Sequence, residues 1–202
     1  DRSVSRGLGD VYKRQVVEEA NEEIKEYNPK ELVGMVNEDA AAAADVLILT
    51  VPLQAQSATL KTIKEHTKGK VLLDATVPLE TAIGGPVSNV LHINPGSAAE
   101  RAANILKDAD VKVVAAFNNI SNSHLANIPN PIECDCLICG DDGKAKEIAS
   151  DIIEKIPGLK AIDIGPLNKA HLIESITPLL IGMNIKFKSH YGGFRITGID
   201  FE

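Results

Sequence analysis

Two short apolar runs with the same ending most constrain what this chain can fold into. They occur in the strings DVLILTVP, which ends at Pro52, and KVLLDATVP, which ends at Pro78. An unbroken apolar run of this length that stops at a proline is typical of a strand buried on both faces of a parallel sheet. Residues 54–66, between the runs, have the apolar spacing of a helix. A β-α-β unit is therefore predicted, because parallel strands require a long crossover.

The same alternation of strand and helix patterns continues along the chain. Strands are predicted at Leu32–Val36 and in the strings VKVVAAF, CDCLI and LKAIDIG. Helices are predicted at Val16–Tyr27, Glu38–Ala44, Gln54–His66 and Ser97–Lys107, briefly after Ser121, and after Asp141 and Asp142. Such a series predicts an α/β fold, a Rossmann-like doubly wound parallel sheet with right-handed crossovers.

The segment after Gly165 has a different pattern. The string LNKAHLIESITPLLIGMNIKFK is apolar nearly all round, which predicts a helix buried against a partner subunit or between domains. Pro178 lies inside it and is expected to kink or break that helix. We therefore divide the chain into two parts. Residues 16–165 form an incomplete nucleotide-binding domain, and residues 166–202 form a small C-terminal helical unit that we expect to bind a further ligand and to take part in dimerisation.

Composition excludes several classes of protein. The chain is 44% hydrophobic and carries a formal net charge of −7, which indicates a globular protein and argues against non-specific binding to nucleic acid. No apolar run approaches the roughly 20 residues of a membrane span. No signal peptide is visible, so we expect a cytoplasmic protein.

The three cysteines lie together in CDCLIC, at Cys134, Cys136 and Cys139. A tetrahedral metal site would need a fourth ligand and a turn that brings the thiolates together, and neither is evident. Alternation along a strand places Cys134 and Cys136 on one face and Cys139 on the other. We therefore predict no metal site and treat the cysteines as small buried hydrophobes.

Ligands of an open parallel sheet bind outside the carboxyl ends of its strands. Three such ends are predicted here, in the strings TVPL at Thr50, TVPL at Thr76 and FNNIS at Phe117. The amides of Asn118 and Asn119 could bind a flat ring that carries an amide, or they could satisfy loop backbone. Both interpretations stay open on the pattern alone.

The predicted strand ends hold no nucleophile with a base, no paired carboxylates and no metal ligands. Asp74 is better suited to accept hydrogen bonds from loop amides than to act as a base. Hydride transfer between two cofactors needs no acid or base from the protein, because the cofactors supply the chemistry. The sequence thus predicts no catalytic residue of the acid–base kind.

Several long strings together resemble one family. LTVPLQAQ, DATVPLE, GSAAERAA, AAFNNIS, CDCLI and ESITPLLIGMNI are similar to the NADPH-dependent coenzyme F420 reductases, in order and nearly without gaps from Val16 to Ile199. The resemblance implies a homodimer with a Rossmann domain and a small C-terminal domain. It also implies hydride transfer between NADP(H) and coenzyme F420, an 8-hydroxy-5-deazaflavin.

The resemblance assigns residues to both ligands. For NADP it implies that Thr50, Pro52, Val77 and Pro78 frame the nicotinamide, and that Leu53, Ser57, Ile83 and Asn122 line the rest of the site. It places Asn118 and Ile120 against the stacked rings. The deazaflavin candidates are Ser97, Glu174 and Thr177, together with Lys186, Lys188 and Arg195, whose charges would offset its anionic tail.

The opening string DRSVSRGLGDVYKRQ fits neither the fold nor the family. A dinucleotide loop needs a buried strand before its first glycine, and the residues before Gly7 cannot form one. Family members begin with a strand, a glycine-rich loop, a helix and a second strand. We interpret residues 1–15 as translated sequencing adapter, so that Gly7 and Gly9 form no nucleotide loop. We expect the chain as written to be inactive for this reason.

Two alternatives to the deazaflavin reductase stay open. An NADPH-dependent imine or ketone reductase of related fold would need a proton donor, and no Lys, Tyr or His occurs at the three strand ends. A non-catalytic, dimerising Rossmann-like fragment would bind neither ligand productively.

Overall fold

The structure is a computed structural model that describes residues 15–27, 32–128 and 130–199. The interpretation of residues 1–15 falls almost wholly outside the described residues, since only Gln15 belongs to them. It therefore stays a prediction.

Seven helices and five strands are described. A first helix, α1, covers residues 15–24. The others follow as α2 (Asn37–Ala43), β1 (Val46–Leu49), α3 (Leu53–Ile63), β2 (Val71–Asp74), α4 (Ala98–Leu106), β3 (Lys112–Ala115), α5 (Asn122–Ala126), β4 (Asp135–Gly140), α6 (Gly143–Ile153), β5 (Lys160–Asp163) and α7 (Ala170–Phe187). The fold is α/β and Rossmann-like, as predicted.

The five strands form one sheet in the order β1-β2-β3-β4-β5. Strands β1, β2 and β3 are mutually parallel, β4 is antiparallel to β3, and β5 is parallel to β4. The expectation of a wholly parallel sheet was therefore wrong. The five-residue helix α5 is the only helix described between β3 and β4, and at about 1.5 Å per residue it is too short to return the chain along the sheet.

Two local predictions also need correction. Residues 32–36 have no regular secondary structure, so the predicted strand there does not form. Strand β1 is not buried on both faces, because it lies at the edge of the described sheet and Ile48 is 49% exposed. By contrast, every residue of β2 is buried, as the apolar run predicted.

Helix α7 continues through Pro178 and ends only at Phe187. Of the two predicted effects of the proline, a break in the helix does not occur, and a kink stays a prediction. Lys188 follows in the left-handed conformation, with φ of 51°, and its backbone N–H caps the carbonyls of Asn184 and Ile185. The chain therefore turns sharply after α7 and runs back toward β4.

Each face of the sheet has its own core. One core contains Leu137 and Cys139 with residues of α3, α4 and α7, and the other contains Cys136 and Ile138 with residues of α6. Cys134 shares the second core, which confirms the predicted faces of the three cysteines. Burial raises the pKa of the Cys136 and Cys139 thiols to about 12, so both stay protonated at neutral pH. Among the described helices, none has both the length and the apolar character that crossing a bilayer requires.

Candidate functional site

The ends of β1 and β2 lie side by side. Leu49 is in register with Asp74, and the N–H of Ala75 donates to the carbonyl of Leu49 at 3.0 Å. The two TVPL segments therefore leave neighbouring strands at the same edge of the sheet. Pro52 lies three residues after the end of β1 and immediately before the first turn of α3.

Asp74, the last residue of β2, is fully buried and accepts two hydrogen bonds. Its carboxylate accepts from the backbone N–H of Thr76 at 2.9 Å and from Nε2 of Gln56 at 2.6 Å. Burial raises its pKa, although both donors act in the opposite direction. The expectation that Asp74 accepts hydrogen bonds from nearby amides is confirmed.

A polar network connects Asp74 to the starts of two helices. Gln56 accepts from Nε of Arg101 at 2.7 Å, and Nη2 of Arg101 donates to the carbonyl of Leu53 at 2.7 Å. Gln56 also donates to the carbonyl of Ala98 at 3.0 Å. These bonds fix α3 and α4 against the end of β2, and the sequence analysis did not identify Gln56 or Arg101.

The loop after β3 is held by two buried asparagines. Nδ2 of Asn118 donates to the carbonyls of Asp74 and Thr76, at 3.2 and 3.1 Å. Asn119 spans to β4, donating to the carbonyl of Asp135 at 2.7 Å and accepting from the N–H of Leu137 at 3.1 Å. Both side chains therefore satisfy backbone groups, which is one of the two interpretations left open by the sequence.

Phe117, just before these asparagines, adopts φ of 66°. A bulky residue in this left-handed region is strained and persists only where its surroundings hold it. The conformation turns the chain sharply after β3, so that Asn118 reaches back to the end of β2.

A cavity of about 520 Å³ lies between this loop, α7 and the segment after α7. Its walls are the loop residues 118–123, the second half of α7 from Thr177 to Ile185, and residues 188–192. The apolar lining comes from Ile120, Leu180, Ile181 and Ile185. The cavity can therefore accept the apolar faces of a flat ring, with polar groups at its edges.

Hydrogen bonds hold the walls of this cavity together. Oγ1 of Thr177 donates to the carbonyl of Asn118 at 2.5 Å, which joins α7 to the loop. Oγ of Ser121 donates to the carbonyl of His190 at 2.8 Å. The N–H of Asp135 donates to the carbonyl of Phe194 at 3.0 Å, so the segment after α7 is tied to β4.

The structure brings some predicted residues together in the cavity. Five of them line it: Asn118, Ile120, Asn122, Thr177 and Lys188. Asn122 is the one residue of the predicted NADP set among them, whereas Thr177 and Lys188 belong to the predicted deazaflavin set.

Other deazaflavin candidates lie elsewhere. Arg195 lines a separate cavity of about 430 Å³, and its Nε lies 4.0 Å from Oδ1 of Asp135. Nζ of Lys186 lies 5.4 Å from the centre of the Phe187 ring. Lys188 alone of the three basic candidates lines the larger cavity, so they do not form one cluster around it.

Ser97 and Glu174 are both buried beneath α4 and do not line the cavity. Oγ of Ser97 accepts from the N–H of Glu100 at 3.0 Å and caps α4. The carboxyl group of Glu174 accepts from the N–H groups of Ala98 and Ala99, at 2.8 and 3.1 Å. Glu174 therefore joins α7 to the start of α4, whereas the hydrogen bonds of the Ser97 side chain are made within α4.

The NADP candidates are distributed along the ends of β1 and β2. Thr50 and Pro52 are exposed, Val77 is half-buried and Pro78 is buried. Leu53 is buried at the start of α3, and Ser57 follows one turn later. Ile83 belongs to a 3-10 turn in the loop after β2 and is 72% exposed.

Much of the cavity wall consists of residues that were not predicted from the sequence. Its unpredicted residues are Ser123, Leu180, Ile181, Asn184, Ile185, Ser189, His190 and Gly192. Spacing along α7 could have found some of them, because positions 177, 181, 184 and 188 share one face of a helix. In the described part of the chain, no group of three or more His, Cys, Asp or Glu could hold a metal ion.

Comparison with known proteins supports one family. The family model described as NADP oxidoreductase coenzyme F420-dependent matches residues 3–78. The F420-dependent NADP reductase of Methanothermobacter marburgensis is 51% identical over 177 residues, covering 88% of this chain and 79% of that protein. The F420-dependent NADP reductase of Methanocaldococcus jannaschii is 42% identical, covering 93% of this chain and 86% of that protein.

Solved structures agree on the fold. A protein of Arthrobacter sp. FB24, described as a candidate F420-dependent NADP reductase, superimposes with a TM-score of 0.73 at 22% identity, covering 81% of this chain and 74% of that one. A reductive aminase from Aspergillus terreus superimposes with a TM-score of 0.51 at 17% identity, covering 75% of this chain and 45% of that one. With identities of 42–51% to reductases of which it covers most of the length, the chain belongs to the F420-dependent NADP reductase family.

Proposed function

We propose that this protein transfers a hydride between NADP(H) and coenzyme F420. The observation that carries the proposal is the identity of 42–51% to F420-dependent NADP reductases, over 79–86% of their length. NADP(H) and the deazaflavin would be its co-substrates, and no acid–base residue is required.

The geometry supports this proposal through Asn118. Its side chain is bonded to the carbonyls of Asp74 and Thr76 at the end of β2, while the residue itself lines the cavity. A nicotinamide between the two TVPL segments would therefore lie beside a ring in the cavity. When both are bound, the hydride would pass between the nicotinamide and the deazaflavin, in either direction. The chain contributes distance, alignment and exclusion of water.

The residues present fit both groups. A volume of about 520 Å³ lies within the range of roughly 300–1,000 Å³ for sites that bury small ligands. Ile120, Leu180 and Ile181 offer apolar faces to a ring system. The two TVPL segments leave neighbouring strands, where ligands of α/β sheets bind.

An imine or ketone reductase is the alternative to be tested beside it. The three strand ends hold no Lys, Tyr or His, but His190 and Lys188 line the cavity. Groups able to donate a proton therefore lie next to a ligand bound in the cavity. The identity to F420-dependent NADP reductases favours the deazaflavin, and the assay below separates the two activities.

We also propose that two copies of the chain associate through α7. Five apolar side chains along this helix are 47–67% exposed in the single chain: Leu172, Leu179, Met183, Ile185 and Phe187. Contiguous exposed apolar surface of this kind is typical of subunit interfaces. The division at Gly165 into two units, the cytoplasmic location and the absence of a nucleic-acid partner stay proposals.

Hydride transfer can be assayed directly. Purified protein is mixed with NADPH and oxidised coenzyme F420, and the visible absorption of the deazaflavin is followed together with NADPH consumption. We expect loss of the deazaflavin absorption, one equivalent per NADPH, from a chimera that has the start of the M. marburgensis reductase before Val16. The chain as written is assayed beside the chimera and tests the interpretation of residues 1–15. Consumption of NADPH with a cyclic imine, but not with the deazaflavin, would contradict the proposal.

A further inference from the structure

Asn184, in the last turns of α7, lines the cavity and is joined to the segment that closes it. Its Oδ1 accepts a hydrogen bond from the backbone N–H of Gly192 at 2.9 Å. The fit is close, because a Cβ on Gly192 would lie 2.4 Å from that oxygen. The Asn184–Gly192 contact therefore depends on residue 192 being glycine.

This contact fixes the orientation of the Asn184 amide. A backbone N–H can only donate, so the atom that faces it must be the oxygen. Nδ2 is left as a donor, and no hydrogen bond from it is found within residues 15–27, 32–128 and 130–199. The cavity wall thus contains a neutral donor with a defined direction.

Two hydroxyl groups of the cavity wall are already engaged, whereas Oδ1 of Asn118, which also lines the cavity, has no hydrogen-bond partner among the described residues. The hydroxyls of Thr177 and Ser121 donate to the carbonyls of Asn118 and His190. Lys188 lies one turn beyond Asn184 along the chain and also lines the cavity. At this end, the cavity therefore offers donors from Asn184 and Lys188 next to the apolar side chains of Leu180 and Ile181.

We propose that Nδ2 of Asn184 donates a hydrogen bond to an oxygen on the edge of the bound deazaflavin ring, and that Asn184 thereby selects for a ring with an acceptor at that edge. The inference rests on the proposed function. A deazaflavin has carbonyl oxygens and a ring hydroxyl that can accept such a bond, whereas an apolar ring would leave the amide without a partner. A buried donor without a partner is costly, so the contact contributes to specificity as well as affinity.

Asn184→Asp separates the two roles of this side chain. A carboxylate still accepts from the N–H of Gly192, but it cannot donate. We expect the melting temperature to stay within a few degrees of the parent, while the Kd for coenzyme F420 rises by roughly three- to tenfold. Binding is measured by calorimetry on the 202-residue chain, so the readout does not depend on turnover.

Two further variants complete the test. Asn184→Ala lacks the donor and adds no charge, although it also removes the acceptor of the Gly192 N–H. The lost donor is the change toward the ligand that both variants share, so equal weakening in both assigns the effect to it. Asn104→Asp makes the same chemical change at an exposed position of α4 and should leave the Kd unchanged. If Asn184→Asp and Asn184→Ala bind coenzyme F420 as the parent does, the inference is overturned and the proposed function stands. If neither the parent nor the chimera with the start of the M. marburgensis reductase binds coenzyme F420, both are overturned.

Discussion

Glu174, on α7, accepts a hydrogen bond of 2.8 Å from the backbone N–H of Ala98, the first residue of α4, although 76 positions separate them in the chain. Its other oxygen accepts from Ala99. The carboxyl group is therefore buried at the start of one helix and holds the helix that lines the cavity. This single side chain couples the position of α7 to that of α4.

The burial of Glu174 predicts a pH-dependent stability. Burial raises its pKa to about 8, and the like charges of Asp74 and Glu100 act in the same direction. The folded-state pKa exceeds the unfolded value of about 4.3. The neutral carboxyl group therefore makes its full contribution to the free energy of unfolding below about pH 4.3, and this contribution is lost as the pH rises toward 8. The loss is about 1.4 kcal/mol per pH unit within this window.

Glu174→Gln should remove this dependence. The amide of the variant does not ionise, so its stability should not fall in this way as the pH rises. We therefore expect the difference in melting temperature, variant minus parent, to increase from pH 5 to pH 8.5. Thermal unfolding over this pH range in one buffer series measures the difference. Parallel curves for the two proteins would show that Glu174 does not titrate in this window.

Asn119→Ala should be among the more damaging substitutions of a polar residue. It leaves the carbonyl of Asp135 and the N–H of Leu137 buried without their partner. At about 1–3 kcal/mol for each group, the free energy of unfolding should fall by roughly 2–5 kcal/mol. Urea denaturation measures this, with Asn104→Ala on the exposed face of α4 as the control, for which a change within about 0.5 kcal/mol is expected.

Lys188→Glu should weaken the binding of the deazaflavin more than the binding of the nucleotide. Lys188 lines the cavity, whereas Arg195 lies beside Asp135 in a separate one. Reversing the charge of Lys188 should raise the deazaflavin KM by roughly three- to tenfold and spare the NADPH KM, with a smaller effect from Arg195→Glu. Added salt should reduce the difference. Lys144→Glu on α6 is the control for charge alone, and equal effects at positions 144 and 188 would count against a specific role.

Leu179→Glu should separate the proposed dimer. This side chain is 60% exposed on α7 of the single chain, and a buried carboxylate without a partner is costly at an interface. Light scattering at micromolar concentration should show a dimer for the parent and a monomer for the variant. Ile148→Glu, at a half-exposed apolar position of α6, should stay dimeric. A monomeric parent would refute the proposed interface.

Much of the fold could be predicted because its signals are local. The apolar run of β2, the cap of α4 at Ser97 and that of α6 at Asp142 each depend on a few adjacent residues. The faces of the three cysteines followed from strand alternation in the same way. The direction of β4 could not be predicted, because it depends on how the chain returns after β3 and not on the pattern of the strand itself.

Local pattern and family resemblance determined the class of this protein and its two ligand types, and they predicted the edge of the sheet at which the nucleotide binds. Only the tertiary structure decided which residues form the cavity. Its walls join residues 118–123 to residues 177–192 through the contacts of Thr177 with Asn118 and of Ser121 with His190. It likewise showed that Glu174 holds α7 against the start of α4 and that Nδ2 of Asn184 has no hydrogen-bond partner among the described residues. Contacts between distant segments depend on how the elements pack, and neither spacing nor composition along the chain contains that information.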